Sequence, residues 1–174
     1  MKALFFTAFA MCSMLVVQAQ NETDKPKPKS PPAVAKATIA SGTEVTIDYS
    51  QPSVKGRVIG ENLEPKKGEV WRAGANATTI FEVSKDVTIN GKKLPAGKYG
   101  FFTIDNGDNW TIIFNKVWKD WGAYKYKESE DALRITVPAK KDNTPFTETL
   151  TYAVNKSGEV NLLWGGIKVG FVVK

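Results

Sequence analysis

The sequence predicts an all-β domain, an antiparallel β-sandwich of about ten short strands, with a closed β-barrel as the alternative arrangement of the same strands. Three observations carry that expectation. Apolar and polar residues alternate at period two, most plainly at Val45, Ile47 and Tyr49 against Glu44, Thr46 and Asp48, and again at Leu133, Ile135 and Val137 against Arg134 and Thr136. Turn-forming residues fill nearly every gap between such runs. No window sustains the 3.6-residue apolar stripe of an amphipathic helix, and the segment 118–131, rich in aromatics and turn formers, has room for a single helical turn.

Two segments precede the strands. Met1 and Lys2 give a short basic start, residues 3–17 form an apolar run broken only by Thr7, Cys12 and Ser13, and Val17-Gln18-Ala19 supplies the small-residue pattern of a cleavage site. The run falls short of the roughly 20 residues a spanning helix needs. Residues 1–19 are therefore expected to be a signal peptide cut after Ala19 rather than a transmembrane anchor, and the protein is expected to be periplasmic or secreted. Lipidation at Cys12 is disfavoured, because Phe9, Ala10 and Met11 put a large residue where a lipoprotein signal has glycine or alanine. Residues 20–32 hold four prolines and three lysines but no large apolar side chain, so they have nothing to bury and read as a Lys/Pro-rich disordered tether.

Residues 33–174 are expected to form one domain. Strand candidates follow at 33–40, 44–49, 69–72, 78–83, 87–89, 98–104, 110–115, 133–137, 146–154, 159–164 and 167–173. The turns between them are Ser41-Gly42, Asn90-Gly91, Asp105-Asn106-Gly107-Asp108, Asp142-Asn143, Ser157-Gly158 and Gly165-Gly166. Asn90-Gly91 suits a two-residue type I′ turn between Val87-Thr88-Ile89 and Lys92-Lys93-Leu94, after which Pro95 stops pairing.

Composition narrows the chemistry. The chain has 174 residues, no histidine and one cysteine, Cys12. Once the signal is removed neither imidazole nor thiol remains, which excludes Ser/His and Cys/His catalysis, zinc ligation by nitrogen and sulfur, and disulfides. No metal site and no cofactor is expected: no glycine-rich phosphate loop precedes a helix, and 105–109 lacks the spaced acids and terminal glutamate of a calcium loop. Nucleic acid is a poor partner, since the net charge of +6 is spread lysine rather than an arginine-rich stripe.

The remaining chemistry lies in arginines, carboxylates and aromatics. Only Arg57, Arg72 and Arg134 stand among 24 basic residues. A guanidinium suits a partly buried carboxylate or backbone carbonyls, so Arg57 and Arg72 read as clamps on the loop 51–67 or as ligand-binding groups. Gly74 permits a tight bend that would gather Arg72, Asn76 and Thr79 into one polar constellation, with Arg72 facing either an internal carboxylate such as Asp48 or Glu69 or the anionic group of a ligand. Trp118, Trp121, Tyr124 and Tyr126 fall within nine residues among lysines. They could stack a sugar ring or a partner's side chains, or cover an open end of the fold. Glu128, Glu130 and Asp131 form the densest acidic cluster and read as a solvated loop.

Ser30-Pro31-Pro32-Ala33, then Tyr49 through Gly56-Arg57, then Trp71-Arg72-Ala73-Gly74-Ala75-Asn76 with Thr79, then Leu94-Pro95-Ala96-Gly97-Lys98-Tyr99 give the chain a resemblance from about Ser30 to its C-terminus. It resembles a bacterial family of exported proteins, the domain of unknown function 2911. The resemblance implies a single β-rich domain behind a signal peptide and transfers no catalytic or binding role onto any residue. The expected function is that of an exported envelope protein, a non-enzymatic binding module for a glycan, a small ligand or another envelope protein. The alternative is a carboxylate-dependent hydrolase acting on saccharides, which needs two acids about 5–9.5 Å apart across a groove.

Overall fold

Alternation becomes strand wherever one face can be buried, and twelve strands form in the computed structural model, which describes residues 29–141 and 144–174. They are β1 (Pro32–Thr38), β2 (Glu44–Ser50), β3 (Val70–Trp71), β4 (Thr79–Val83), β5 (Val87–Ile89), β6 (Lys92–Leu94), β7 (Gly97–Asp105), β8 (Asn109–Asn115), β9 (Asp131–Lys140), β10 (Thr147–Val154), β11 (Glu159–Gly165) and β12 (Ile167–Val172). Among the described residues there is no α-helix, and the helical turn expected in 118–131 is a 3-10 turn at Glu128–Glu130. The expected signal peptide, its expected cleavage site and tether residues 20–28 lie outside the described residues. The end of the tether segment already touches the domain, since the Pro31 carbonyl accepts from Gln51 N–H at 2.9 Å and Pro32 opens β1. A proline is tolerated there because the first residue of an end strand need not donate to a ladder.

The main sheet runs β1-β2-β4-β7-β8-β9-β12-β11-β10, with every pairing antiparallel, and β3 continues beside β7 where β4 ends. Beyond Ser50 the chain turns from β4's sheet towards β10. Leu150 N–H donates to the Pro52 carbonyl at 2.9 Å and Val54 N–H to the Glu148 carbonyl at 2.8 Å. The two ends of the sheet are thus drawn together around one interior, a nearly closed, barrel-like sheet. Between β5 and β6 the expected two-residue turn is present, with Asn90 and Gly91 at φ of 46° and 81° and Ile89 opposite Lys92.

Inward positions carry the apolar half of each alternation. Val45, Ile47 and Tyr49 on β2 and Leu133, Ile135 and Val137 on β9 are buried, whereas Asp48 and Thr136 are exposed. At the centre Phe81, Phe101, Phe114 and Phe171 meet with ring centroids 4.9–6.1 Å apart. Each fully buried ring or branched aliphatic contributes roughly 1.5–3 kcal/mol, so this interior is the main term holding the sheet closed.

Candidate functional site

The chain from Gln51 to Glu69 crosses one end of the barrel, tied down by buried Val54 and Leu63. Arg57 clamps its first turn: Nε donates to the Val54 carbonyl at 3.0 Å and Nη2 to the Ser53 carbonyl at 2.5 Å. Trp71 on β3 points inward, 6.5 Å from the stacked ring of Trp164, and each indole N–H is used. That of Trp71 reaches the Gly74 carbonyl at 3.1 Å and that of Trp164 the Glu64 carbonyl at 2.8 Å. Strand alternation then turns Arg72 the opposite way, under the segment 122–124.

Two concavities meet at this end. One, of about 260 Å³, is walled by Glu64, Glu69, Trp71, Arg72, Ala123 and Tyr124. The other, of about 220 Å³, is walled by Arg57, Leu63, Glu64, Trp71, Arg72 and Trp164. Glu64, Trp71 and Arg72 are common to both, so Arg72 borders two adjoining lobes at this end. Larger hollows of about 310 Å³ over β11 and β12 and about 380 Å³ beside the β5–β6 hairpin contain no arginine and no exposed aromatic ring. Among the described residues no carboxylate lies within 4 Å of the Arg72 guanidinium, and its Nε is buried without a hydrogen-bond partner.

Arg72, Asn76 and Thr79 do not share one polar constellation. The Thr79 hydroxyl, fully buried, donates to the Ala73 carbonyl at 3.1 Å, which also accepts from Tyr152 at 2.7 Å. Asn76 is exposed and donates to the Ser30 carbonyl at 3.2 Å. Neither Asp48 nor Glu69 pairs with Arg72. The reason is the backbone between them: Ala73 and Asn76 both occupy the left-handed region, at φ of 51° and 61°, so the chain reverses and sends the three side chains to different places. Gly74 contributes space rather than a positive φ, because a Cβ there would stand 2.6 Å from Thr79 Oγ1.

The four aromatics divide into two pairs. Trp118 is half-buried with the ammonium groups of Lys98 and Lys119 at 5.5 and 4.7 Å from its ring. Tyr126 packs on Phe102 at 5.2 Å and donates to Asp131 Oδ2 at 2.7 Å. Trp121 and Tyr124 are the open pair, 64% and 85% exposed, and Tyr124 stands at the mouth of the cleft. The dense acidic cluster is structural: Asp131 takes Tyr126 and Asn115, and Glu128 pairs with Arg134. Glu64 and Glu69 share a concavity because the loop 51–69 brings them there; the sequence marks Glu69 only as a partner for Arg72 and does not mark Glu64. Among the described residues no three potential ligands gather as a metal site, and no helix is long and apolar enough to cross a membrane.

The family model described as a protein of unknown function (DUF2911) matches residues 30–173. The chain belongs to the DUF2911 family. Comparison with curated proteins and with solved structures gives no match. The span matched in this DUF2911 protein contains the whole barrel and every wall of the cleft, from Ser30 beside Asn76 to Val173, whose N–H closes onto the Gly158 carbonyl at 2.8 Å.

Two tyrosines of the DUF2911 barrel give it an alkaline limit. Burial first, and the electrostatic effect of nearby Tyr49 second, push the Tyr152 hydroxyl well above its ordinary range. Burial first, then the hydrogen bond to Asp131, do the same for Tyr126. Both hold their protons in the folded state at a pH where the unfolded chain releases them, near 10. Stability contributed by these groups is therefore complete below about pH 10 and falls as pH rises further. Urea midpoints are expected to stay level from about pH 8 to 9.5 and to drop above about 10, with a shallower drop in Tyr126→Phe.

Proposed function

We propose that this protein is an exported envelope binding module that acts without catalysis and takes an anionic ligand in the cleft at the end of its barrel. Arg72 carries the proposal. A guanidinium with a buried, unpartnered Nε and no carboxylate within reach is costly to keep, since an unsatisfied buried donor costs about 1–3 kcal/mol. The Nη groups of the same planar fork are not buried, take part in no ion pair among the described residues, and are the donors best suited to receive an arriving anion. Arg57 is already engaged by two backbone carbonyls, so it shapes the second lobe rather than offering a free fork. The basic start, the apolar run and Ala19 support export to the periplasm or beyond.

Glu64 and Glu69 favour a second reading, carboxylate-dependent hydrolysis of a saccharide, because they line one concavity together. Calorimetry of the purified protein against a panel of anionic metabolites and oligosaccharides, with product analysis of each mixture, separates the two. Saturable binding without product, weakened in Arg72→Lys, is the expected result. Release of product that stops in Glu64→Gln would replace binding by hydrolysis, and binding indifferent to Arg72→Lys would remove the cleft from the account.

A further inference from the structure

We infer that the ligand is a saccharide bearing a carboxylate, a uronate, with its carboxylate on Arg72 and a ring face on Tyr124; the inference rests on the anion-binding cleft proposed above. Charge selects the anion. The cleft is walled by Arg57 and Arg72 but also by Glu64 and Glu69, two cations against two carboxylates. With Arg57 committed to the Val54 and Ser53 carbonyls, a single fork is free. A phosphate or sulfate group, compact and strongly charged, would share the hollow with both glutamates without a second free cation to offset them. One carboxylate on a larger molecule matches one planar fork, and its charge is satisfied by two parallel N–H donors.

The rest of the lining suits hydroxyl groups. Glu64 has one oxygen bonded to Lys66 N–H at 3.0 Å, which leaves the other to accept, and Glu69 adds a further acceptor. Carboxylates accept and never donate when ionised, so they recognise O–H groups rather than a second anion. Tyr124, 85% exposed at the mouth, lies beside Gly122 and leaves most of its ring open. An aromatic face beside polar groups fits a sugar, whose C–H surface is apolar and whose rim is hydroxyl. Each lobe, of about 260 and 220 Å³, is larger than a lone inorganic ion fills.

Isothermal calorimetry with the purified full-length mature protein tests this, using galacturonate and glucuronate trimers, neutral trimers of the parent hexoses, and inorganic phosphate. Saturable binding of a uronate trimer at least about tenfold tighter than its neutral counterpart is expected. Arg72→Lys, which keeps the charge and loses the fork, should weaken the uronate about tenfold to a hundredfold and leave the neutral trimer unchanged. Tyr124→Ala should weaken both about threefold to tenfold. Arg72→Lys is expected to melt no lower than the parent protein, since it removes the unpartnered buried Nε, and Tyr124→Ala to melt with it, since Tyr124 is exposed. Arg72-dependent binding of phosphate in place of uronate, or equal binding of neutral and acidic trimers, would overturn the uronate and leave the cleft standing. If no probe binds, or if binding ignores both substitutions, the cleft reading falls with it.

Discussion

Phe101→Ala is expected to cost about 3–5 kcal/mol of folding stability, among the largest losses from a single truncation in the barrel. Phe101 sits in the middle of β7 with no exposed surface. Its ring lies 6.1 Å from Phe81, 5.6 Å from Phe114, 6.0 Å from Phe171 and 5.9 Å from Tyr152. Those partners belong to β4, β8, β12 and β10, so one side chain is shared by strands from opposite walls. Removing it loses the transfer energy of the ring and leaves a cavity that none of the four strands can close alone, because each is fixed by ladder bonds in its own register. Thr136→Ala, on the exposed face of β9, should change stability by less than about 0.5 kcal/mol. Urea denaturation of the three proteins checks both values. A loss below about 1 kcal/mol for Phe101→Ala, well under the expected range, would mean that the rings do not form one interior.

The fold was legible because its strands are half-buried. Where one face meets the interior and the other meets water, period two is unavoidable, and Val45-Ile47-Tyr49 and Leu133-Ile135-Val137 report it directly. Asn90-Gly91 reports its turn for an equally local reason, since two successive positive φ values admit few other pairs. The sequence left closure open, with the closed barrel only as the alternative to a sandwich, because closure depends on residues 52–54 meeting β10 across almost a hundred positions. The cleft is built by the same long-range path, so Glu64 and Trp164 carry no sequence mark, and Glu69 was marked only as a partner for Arg72, which it does not pair with. Arg72 was findable as a rare arginine, but its grouping with Asn76 and Thr79 assumed a bend at Gly74 that the left-handed Ala73 and Asn76 replace. One overlooked signal was present: Phe101-Phe102 and Ile112-Ile113 break the alternation by doubling apolar residues. Such doubling marks a strand covered on both faces. Phe102 is indeed covered from outside by Tyr126, at the base of the segment that carries Trp121 and Tyr124.

That covering segment leads to the second large effect, an expected loss of about 2–4 kcal/mol in Asn115→Ala together with weakened ligand binding. Asn115 ends β8 and is 1% exposed, a polar residue where the strand would otherwise bury an apolar one. Its amide joins three parts of the chain: Nδ2 donates to Asp131 Oδ1 at 2.8 Å and to the Lys127 carbonyl at 3.0 Å, and Oδ1 accepts from Val117 N–H at 2.9 Å. Both ends of the excursion 116–130 are therefore held by one side chain. Asp131 is the second post, bonded to Tyr126 at 2.7 Å and paired with Arg134 at 3.3 Å, with its side chain only 6% exposed. Truncation to alanine removes three hydrogen bonds, one of them to a buried carboxylate, where each neutral bond contributes about 1 kcal/mol and a charged one about 1.5–3. It also frees the segment that presents Tyr124 to the cleft, so affinity should fall even at temperatures where the barrel is fully folded. Asn115→Asp is the discriminating control: it keeps the size but sets a second carboxylate against Asp131, and should be at least as damaging. Denaturation midpoints and calorimetric affinities of the two variants, measured at one temperature below both transitions, check the prediction. An Asn115→Ala protein with unchanged midpoint and unchanged affinity would show that the 116–130 segment holds its place without this amide.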